Sequence, residues 1–323
     1  MKKILLIDAD STIPNIPLMK LSRFHKNRGD AVSFVKLGLP YYPGRKKNTF
    51  LCPDGYDLTY CSVIFSGNFE YIRGENVIFG GTGVSLSTVL PDNIERCAPD
   101  YSLYPNNDTS YGFLTRGCVR KCYFCCVPEK EGTIRQVARI RDIAVHKKIK
   151  FLDNNILALR GHIKLLEELA ELKIRCQFIQ GLDIRLVNPV NSVALSKLRY
   201  FGDLIFAFDA WGSRDIIDKK LRLLSWVREW QPKFYVYVAP EMPLSDTVKR
   251  VLWLKEHKCI PYIMRDIRCW EDRNRDFYTD VAAYCNQVPI FKKMDFGTYM
   301  EKRYPDNARR VTHSQHLWHE SLI

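Results

Sequence analysis

Alternating strand and helix signals predict an α/β protein: a small, open parallel sheet followed by an incomplete (β/α)6 barrel of the TIM type. Three observations carry this prediction. Short aliphatic runs alternate with helical or loop crossovers from the N-terminus onward. A Pro-, Asn- and Asp-rich stretch interrupts the series at 92–109. Six further strands with intervening helices then follow within about 170 residues, and such a series places reactive groups at the carboxyl ends of its strands.

In order along the chain, Lys3–Asp8 reads as a buried strand. Pro17 opens a helix whose Leu18, Leu21 and Phe24 share one face and which Gly29 ends. Strands are predicted at 31–35, 61–65 and 77–79, the last running into the turn Gly80-Gly81-Thr82-Gly83. Pro91, Pro99, Pro105 and the Asn106-Asn107-Asp108 cluster mark the connecting segment. Beyond it a strand is predicted at 111–115, then a helix at 134–146 with Ile134, Val137, Ile140 and Ala144 on one side. Strands at 150–153, 175–180, 204–209, 234–239 and 260–264 continue the series. Helices near 163–172, 193–198, 215–229 and 247–257 separate them. The expected organisation is a sheet domain over 1–91, a linker over 92–109, a barrel over 110–270 and a C-terminal helical extension over 271–323.

The chain has 323 residues, 46% of them hydrophobic, which suits a globular core and excludes a disordered or collagen-like protein. The opening Met-Lys-Lys-Ile-Leu-Leu-Ile begins like a signal peptide, but Asp8 and Asp10 interrupt it, and no apolar run approaches membrane-spanning length. A cytoplasmic protein is expected. Eleven cysteines in that setting point to thiols available to metal rather than to a disulfide framework. The formal charge of +13 attracts polyanions, although the basic runs at 45–47 and 147–150 are short enough to be solvated surface.

The run Thr115-Arg-Gly-Cys-Val-Arg-Lys-Cys-Tyr-Phe-Cys carries the chemistry. Cys118, Cys122 and Cys125 on one loop can hold three corners of a four-iron, four-sulfur cluster and leave the fourth iron open. A closed structural zinc site needs four ligands. The other reading of the triplet is a zinc knuckle completed by a remote histidine or Cys126, in a nucleic-acid-binding protein without catalysis.

The spacing Cys-x3-Cys-x2-Cys, with Phe124 before the last cysteine, resembles the signature of the radical S-adenosylmethionine (SAM) superfamily. The resemblance spans about 111–268 in architecture and is specific at the triplet. It implies a [4Fe-4S] cluster on Cys118, Cys122 and Cys125, with SAM on the open iron. It also implies reductive cleavage to a 5′-deoxyadenosyl radical that abstracts hydrogen from a substrate, and a reductant such as flavodoxin or ferredoxin. RNA and a peptide are the substrate classes considered, with basicity favouring RNA; the catalytic residues on the substrate side are not identified.

Several strand-end residues are candidate SAM contacts. Asp153-Asn154-Asn155 occupies the position where the family usually has Gly-Gly-Glu, and Asp153 and Asn155 are assigned the methionine amino group despite that departure. The run Gln180-Gly-Leu-Asp-Ile-Arg resembles one in some members: Gln180 belongs to it, Asp183 can accept from a ribose, and Arg185 can meet the SAM carboxylate. An Asp183–Arg185 pair that merely holds the loop is the equal alternative. Asp209 ends the fourth barrel strand, and backbone beside Val238 on the fifth can meet adenine, near which Phe124 can pack. Tyr237 and Glu241 fall to the substrate side.

Residues 1–91 resemble the Rossmann-like, cobalamin-binding-type domain that precedes many such cores, most closely at Val77-Ile-Phe-Gly-Gly-Thr-Gly. No Asp-x-His-x-x-Gly segment is present to supply a cobalt ligand. A scaffold or substrate-gating role is therefore favoured over bound cobalamin. Cys259, Cys269 and Cys285 lack compact ligand spacing, Cys126 is a bystander, and His313, His316 and His319 read as a solvated tail face.

Overall fold

The computed structural model describes residues 1–40 and 46–322. Arg45 of the basic run 45–47, and Ile323 at the end of the expected extension, lie outside the described residues. The fold is α/β with mostly parallel sheets. It divides into two compact units: Met1–Phe113, Gly117–Thr133 and Val137–Ile149 form one, and Leu114–Arg116, Ile134–Gln136 and Lys150–Ile323 the other. Among the described residues no helix is long and apolar enough to cross a membrane.

The first unit contains β1 (Lys3–Asp8), β2 (Ala31–Lys36), β3 (Phe50–Leu51), β4 (Leu58–Ser62), β5 (Ile72–Arg73), β6 (Val77–Gly80) and β7 (Ser110–Gly112). Its helices are α1 (Ile16–Asn27), α2 (Asp92–Glu95), α3 (Val127–Glu131) and α4 (Ile140–Ile143). A parallel sheet runs in the order β2-β1-β4-β6, and β3 pairs with β5 separately. β1 is apolar on both faces because both are covered. Ile4 and Leu6 pack with Leu18 and Leu21 of α1, while Leu5 and Ile7 pack with Cys61, Val63 and Ile72. Asn15 caps α1 by accepting from Leu18 N–H at 3.2 Å, so the helix starts at Ile16, one residue ahead of the start that Pro17 alone suggests. The segment 92–109 is packed: Ile94 is buried, and Asp100 accepts from Ser22 Oγ and Lys26 Nζ at 2.6 and 2.7 Å.

Two predicted elements fall differently here. The strand expected at 61–65 ends at Ser62, because the N–H groups of Ile64 and Phe65 turn to the Asp10 carboxylate at 2.8 and 3.1 Å. The helix expected at 134–146 is reduced to the single turn of α4. Its apolar spacing matches a helix, but closing the cysteine loop demands a partner strand from 135–136, and that tertiary pairing overrides propensity.

The second unit contains β8 (Thr115–Arg116), β9 (Arg135–Gln136), the latter half of β10 (Lys148–Phe151), β11 (Arg175–Phe178), β12 (Arg199–Tyr200), β13 (Leu204–Ala207), β14 (Pro232–Val238) and β15 (Ile260–Arg265). β8 and β9 pair antiparallel, Thr115 opposite Gln136 and Arg116 opposite Arg135. The strand expected at 111–115 is thus split into β7 and β8. β11 lies between β10 and β12, and β14 between β13 and β15, the latter two pairings parallel. One parallel bridge, Leu182 to Phe206, spans the two groups. The strands from β10 to β15 therefore fall in two sheets with a bridge between them rather than one continuous barrel wall.

Helices α5 (His162–Glu171), α6 (Pro189–Ser196), α7 (Arg214–Leu221) and α8 (Leu244–Glu256) alternate with these strands. Phe151 stacks on Phe178 at 5.3 Å and Phe206 meets Phe234 at 5.4 Å, so aromatic layers fill the interior. Helices α9 (Arg275–Cys285), α10 (Val288–Lys293), α11 (Phe296–Arg303) and α12 (Ala308–Glu320) end the chain around Tyr284, whose neighbours include Phe291, Phe296 and Trp318. Asp280, fully buried on α9, takes bonds from Tyr304, Arg310 and Ser314 and ties these helices together. His313, His316 and His319 are exposed on α12, and His316 pairs with Glu320 at 3.1 Å.

Candidate functional site

The cysteine loop begins at a glycine that admits no side chain. Gly117 has φ +91°, and a Cβ there would lie 2.3 Å from the Thr133 carbonyl oxygen. That close approach lets Cys118 N–H reach the Gly132 carbonyl at 3.2 Å and clip the base of the loop. Within it, Cys125 N–H donates to the Cys122 carbonyl at 3.0 Å, and Arg120 N–H donates to Cys118 Sγ at 3.3 Å. Backbone donors aimed at sulfur are contacts that cluster-ligating cysteines commonly receive. Cys118, Cys122 and Cys125 are half-buried thiols, and Cys126 is exposed. Phe124 is half-buried and meets the exposed Tyr123 edge-on at 5.2 Å.

Three thiols on a clipped loop suit iron–sulfur ligation in donor type and number. Among the described residues, no three His, Cys, Asp or Glu side chains converge on one metal-sized point. Tetrahedral zinc with 2.3 Å bonds would need sulfurs about 3.8 Å apart, whereas a cube carries its thiolates on separate iron corners. The fit to a cluster therefore rests on donor chemistry and loop closure.

In the second unit, polar groups gather where strands end. Asp153 follows β10 and is 1% exposed. Its carboxylate accepts from Leu114 N–H at 3.1 Å, Thr115 N–H at 2.6 Å and Thr115 Oγ1 at 2.7 Å, so it fixes the strand that leads into the cysteine loop. Burial pushes its pKa up to about 6 despite those bonds. Asn155 is buried, with Nδ2 3.5 Å from Asp183 Oδ2. Asp183 accepts from Arg185 Nε at 2.7 Å and Nη2 at 3.3 Å, the loop-holding pair that the sequence offers as one alternative.

Asp209 accepts from Tyr237 N–H at 3.3 Å, and burial raises its pKa against the opposing fields of Arg250 and Arg185. Gln180 is exposed. Val238 is buried, and its carbonyl accepts Asp266 N–H at 2.9 Å. The structure thus brings Asn155, Asp183 and Arg185 into one group whose charges reach Asp209, while Asp153 is turned toward 114–115.

Sequence reasoning missed three residues here. Arg250 is fully buried and donates to the Phe208 and Tyr237 carbonyls at 2.7 and 3.1 Å, joining the ends of β13 and β14; it also pairs with Asp246 at 2.5 Å. The signal was an arginine on the apolar stripe Thr247, Val251, Leu254 of α8. Asp266, just past β15, accepts from Tyr237 Oη and from Arg268 Nε at 2.8 Å, and the arginine draws its pKa down to about 2. Arg268 also reaches Glu241 at 2.9 Å. Asp266 was readable as a carboxylate ending a strand, as Asp209 was.

In the first unit the carboxyl ends of β1 and β4 are crossed by internal bonds. Asp10 accepts from Asn68 Nδ2 at 2.9 Å besides Ile64 and Phe65, Tyr104 Oη donates to Asp8 at 2.8 Å, and Asn15 Nδ2 donates to Ser62 Oγ at 2.8 Å. Gly81 has φ +100°, and a Cβ on it would lie 2.2 Å from the Val63 carbonyl oxygen. The turn glycines thus serve close approach of chain to chain. The chain matches no protein-family model and no curated protein.

Proposed function

We propose that the chain is a radical SAM enzyme that holds a [4Fe-4S] cluster on Cys118, Cys122 and Cys125 and takes SAM as the ligand of the open iron. The observation that carries the reading is the three-cysteine loop, clipped between Cys118 and Gly132 and set just after a strand of an α/β protein. The strands from β10 to β15 are read as an incomplete (β/α)6 barrel, a view supported by the Leu182–Phe206 bridge. When bound, the cluster would supply the electron that splits the sulfonium and yields a carbon radical able to remove hydrogen from an unreactive position.

The chain's own residues position and partner these groups. Asp153 fixes Leu114 and Thr115, hence the approach to the loop. Asp183 orients Arg185 for a carboxylate, and Asp209 offers acceptor capacity to a ribose. The first unit is assigned a scaffold or gating role, in keeping with the internal bonding of Asp8, Asp10 and Asn15. A flavodoxin or ferredoxin in a reducing cytoplasm would supply electrons.

The test is anaerobic reconstitution with iron and sulfide, followed by assay of 5′-deoxyadenosine release from SAM under dithionite. Iron near four per chain and release of the nucleoside are expected. A colourless protein that binds one zinc and releases none would instead support a zinc-bearing nucleic-acid-binding protein.

A further inference from the structure

The chain's positive charge is concentrated around the cysteines. Residues 116–150 hold ten Lys and Arg against three Asp and Glu, so this segment carries seven of the thirteen net charges. The C-terminal residues 271–323, by contrast, hold eight of each sign and sum to zero. Within the first unit's share, 117–133 and 137–149, seven cations face three carboxylates. Arg139 pairs with Asp142 at 2.9 Å and Lys148 with Asp108 at 2.5 Å, while Lys121, Arg141 and Lys147 stand exposed.

A merely solvated basic face would be polar throughout. Here Tyr123 is 67% exposed and Val119 is 53% exposed on the same loop as Lys121. The Tyr123 ring is braced edge-on by Phe124, at an interplanar angle of 86°. An exposed aromatic ring beside cations is the pairing that single-stranded nucleic acid uses, phosphates on the charges and a base on the aromatic face.

We propose that the cysteine-bearing segment 117–149 binds single-stranded nucleic acid, with its exposed Lys121, Arg141 and Lys147 as phosphate contacts and Tyr123 as a stacking platform. Resting on the enzyme reading above, the inference further names a nucleotide within such a strand as the substrate class. Strong salt dependence with little sequence preference follows from this chemistry.

Binding is read with the cluster-free 323-residue chain and a fluorescein-labelled single-stranded RNA of about 20 nucleotides, by anisotropy across a salt series. Each lost phosphate contact on a single strand lowers the slope of log affinity against log salt by about 0.7, so the Arg141→Gln/Lys147→Gln double variant is expected to lower it by about 1.4. Tyr123→Ala is expected to weaken binding about tenfold at unchanged slope. Melting temperatures of the variants, whose changes lie at exposed positions, check that the fold is kept.

Wild-type affinity and slope in both folded variants would overturn the proposal. So would a double variant that loses binding to an acidic flavodoxin while RNA binding stays intact, which would make the surface a protein-docking face. SAM cleavage is assayed separately on reconstituted protein. Absent cleavage with the expected RNA response would sink the enzyme reading and leave the binding surface standing.

Discussion

Asp153→Asn separates the two roles open to the carboxylate after β10. The group is 1% exposed and its pKa is raised from 3.8 to about 6, with burial as the largest cause. A raised folded-state pKa means that the native protein binds this proton more tightly than the unfolded chain does. The associated stability is fully present below about pH 3.8 and is lost as pH rises through about 6. A shift of about two units at 1.36 kcal/mol each makes the swing about 3 kcal/mol.

The asparagine is neutral throughout and has no such leg. Its amide nitrogen must face a donor, either Leu114 N–H or the Thr115 groups, which costs about 1–3 kcal/mol at every pH. Urea unfolding of both proteins from pH 4 to pH 8 gives the difference directly. Within that range the wild-type advantage is expected to be largest at pH 4 and to shrink by about 2 kcal/mol by pH 7, the rest of the swing lying below pH 4. Parallel curves would refute the reasoning, because they would mean that Asp153 titrates as in the unfolded chain.

The remaining predictions concern the loop, the buried cation and the sheet turn. Cys118→Ala/Cys122→Ala/Cys125→Ala is expected to lose reconstituted iron and 5′-deoxyadenosine release together while the far-ultraviolet circular dichroism stays unchanged; full iron in that variant defeats the assignment. Arg250→Met leaves the Phe208 and Tyr237 carbonyls without their donor and Asp246 without its cation, and is expected to cost about 3–5 kcal/mol in chemical denaturation. Gly81→Ala puts a Cβ against the Val63 carbonyl at positive φ and is expected to cost about 3 kcal/mol, whereas Gly29→Ala, with open space around its Cβ, pays only the backbone term of about 1 kcal/mol. Asp209→Asn is expected to raise the KM for SAM at least fivefold with no loss of stability, since burial already disfavours its charge; an unchanged KM would remove Asp209 from the SAM contacts.

Period and punctuation made most of the fold legible. Lys3–Asp8 falls where the apolar run places it, and Ile260–Arg265 lies within a residue of its expected end, because short buried parallel strands are written as continuous aliphatic runs. The misreadings occur where a distant partner decides. Nothing local in 134–146 shows that 135–136 must pair with 115–116, and nothing after Ser62 shows that Asp10 will take the next N–H groups. Strand-to-strand contacts are likewise invisible to periodicity, so the grouping into two sheets linked by the Leu182–Phe206 bridge had no counterpart in the pattern.

At the site, residue type was legible and residue allegiance was not. Asp153, Asp183 and Asp209 look alike in sequence as carboxylates at strand ends, but the fold commits them differently. Asp153 takes three donors from 114–115, and Asp183 takes Arg185 through two nitrogens as well as its backbone. Asp209 takes a single long bond from Tyr237 N–H, with a carboxylate able to accept about four. The side chain is half-buried, so a ligand donor would meet a carboxylate with acceptor capacity to spare. The hydroxyls of a ribose are donors of the right kind, so Asp209 has the most to gain from a nucleoside and is the first residue at which to look for one.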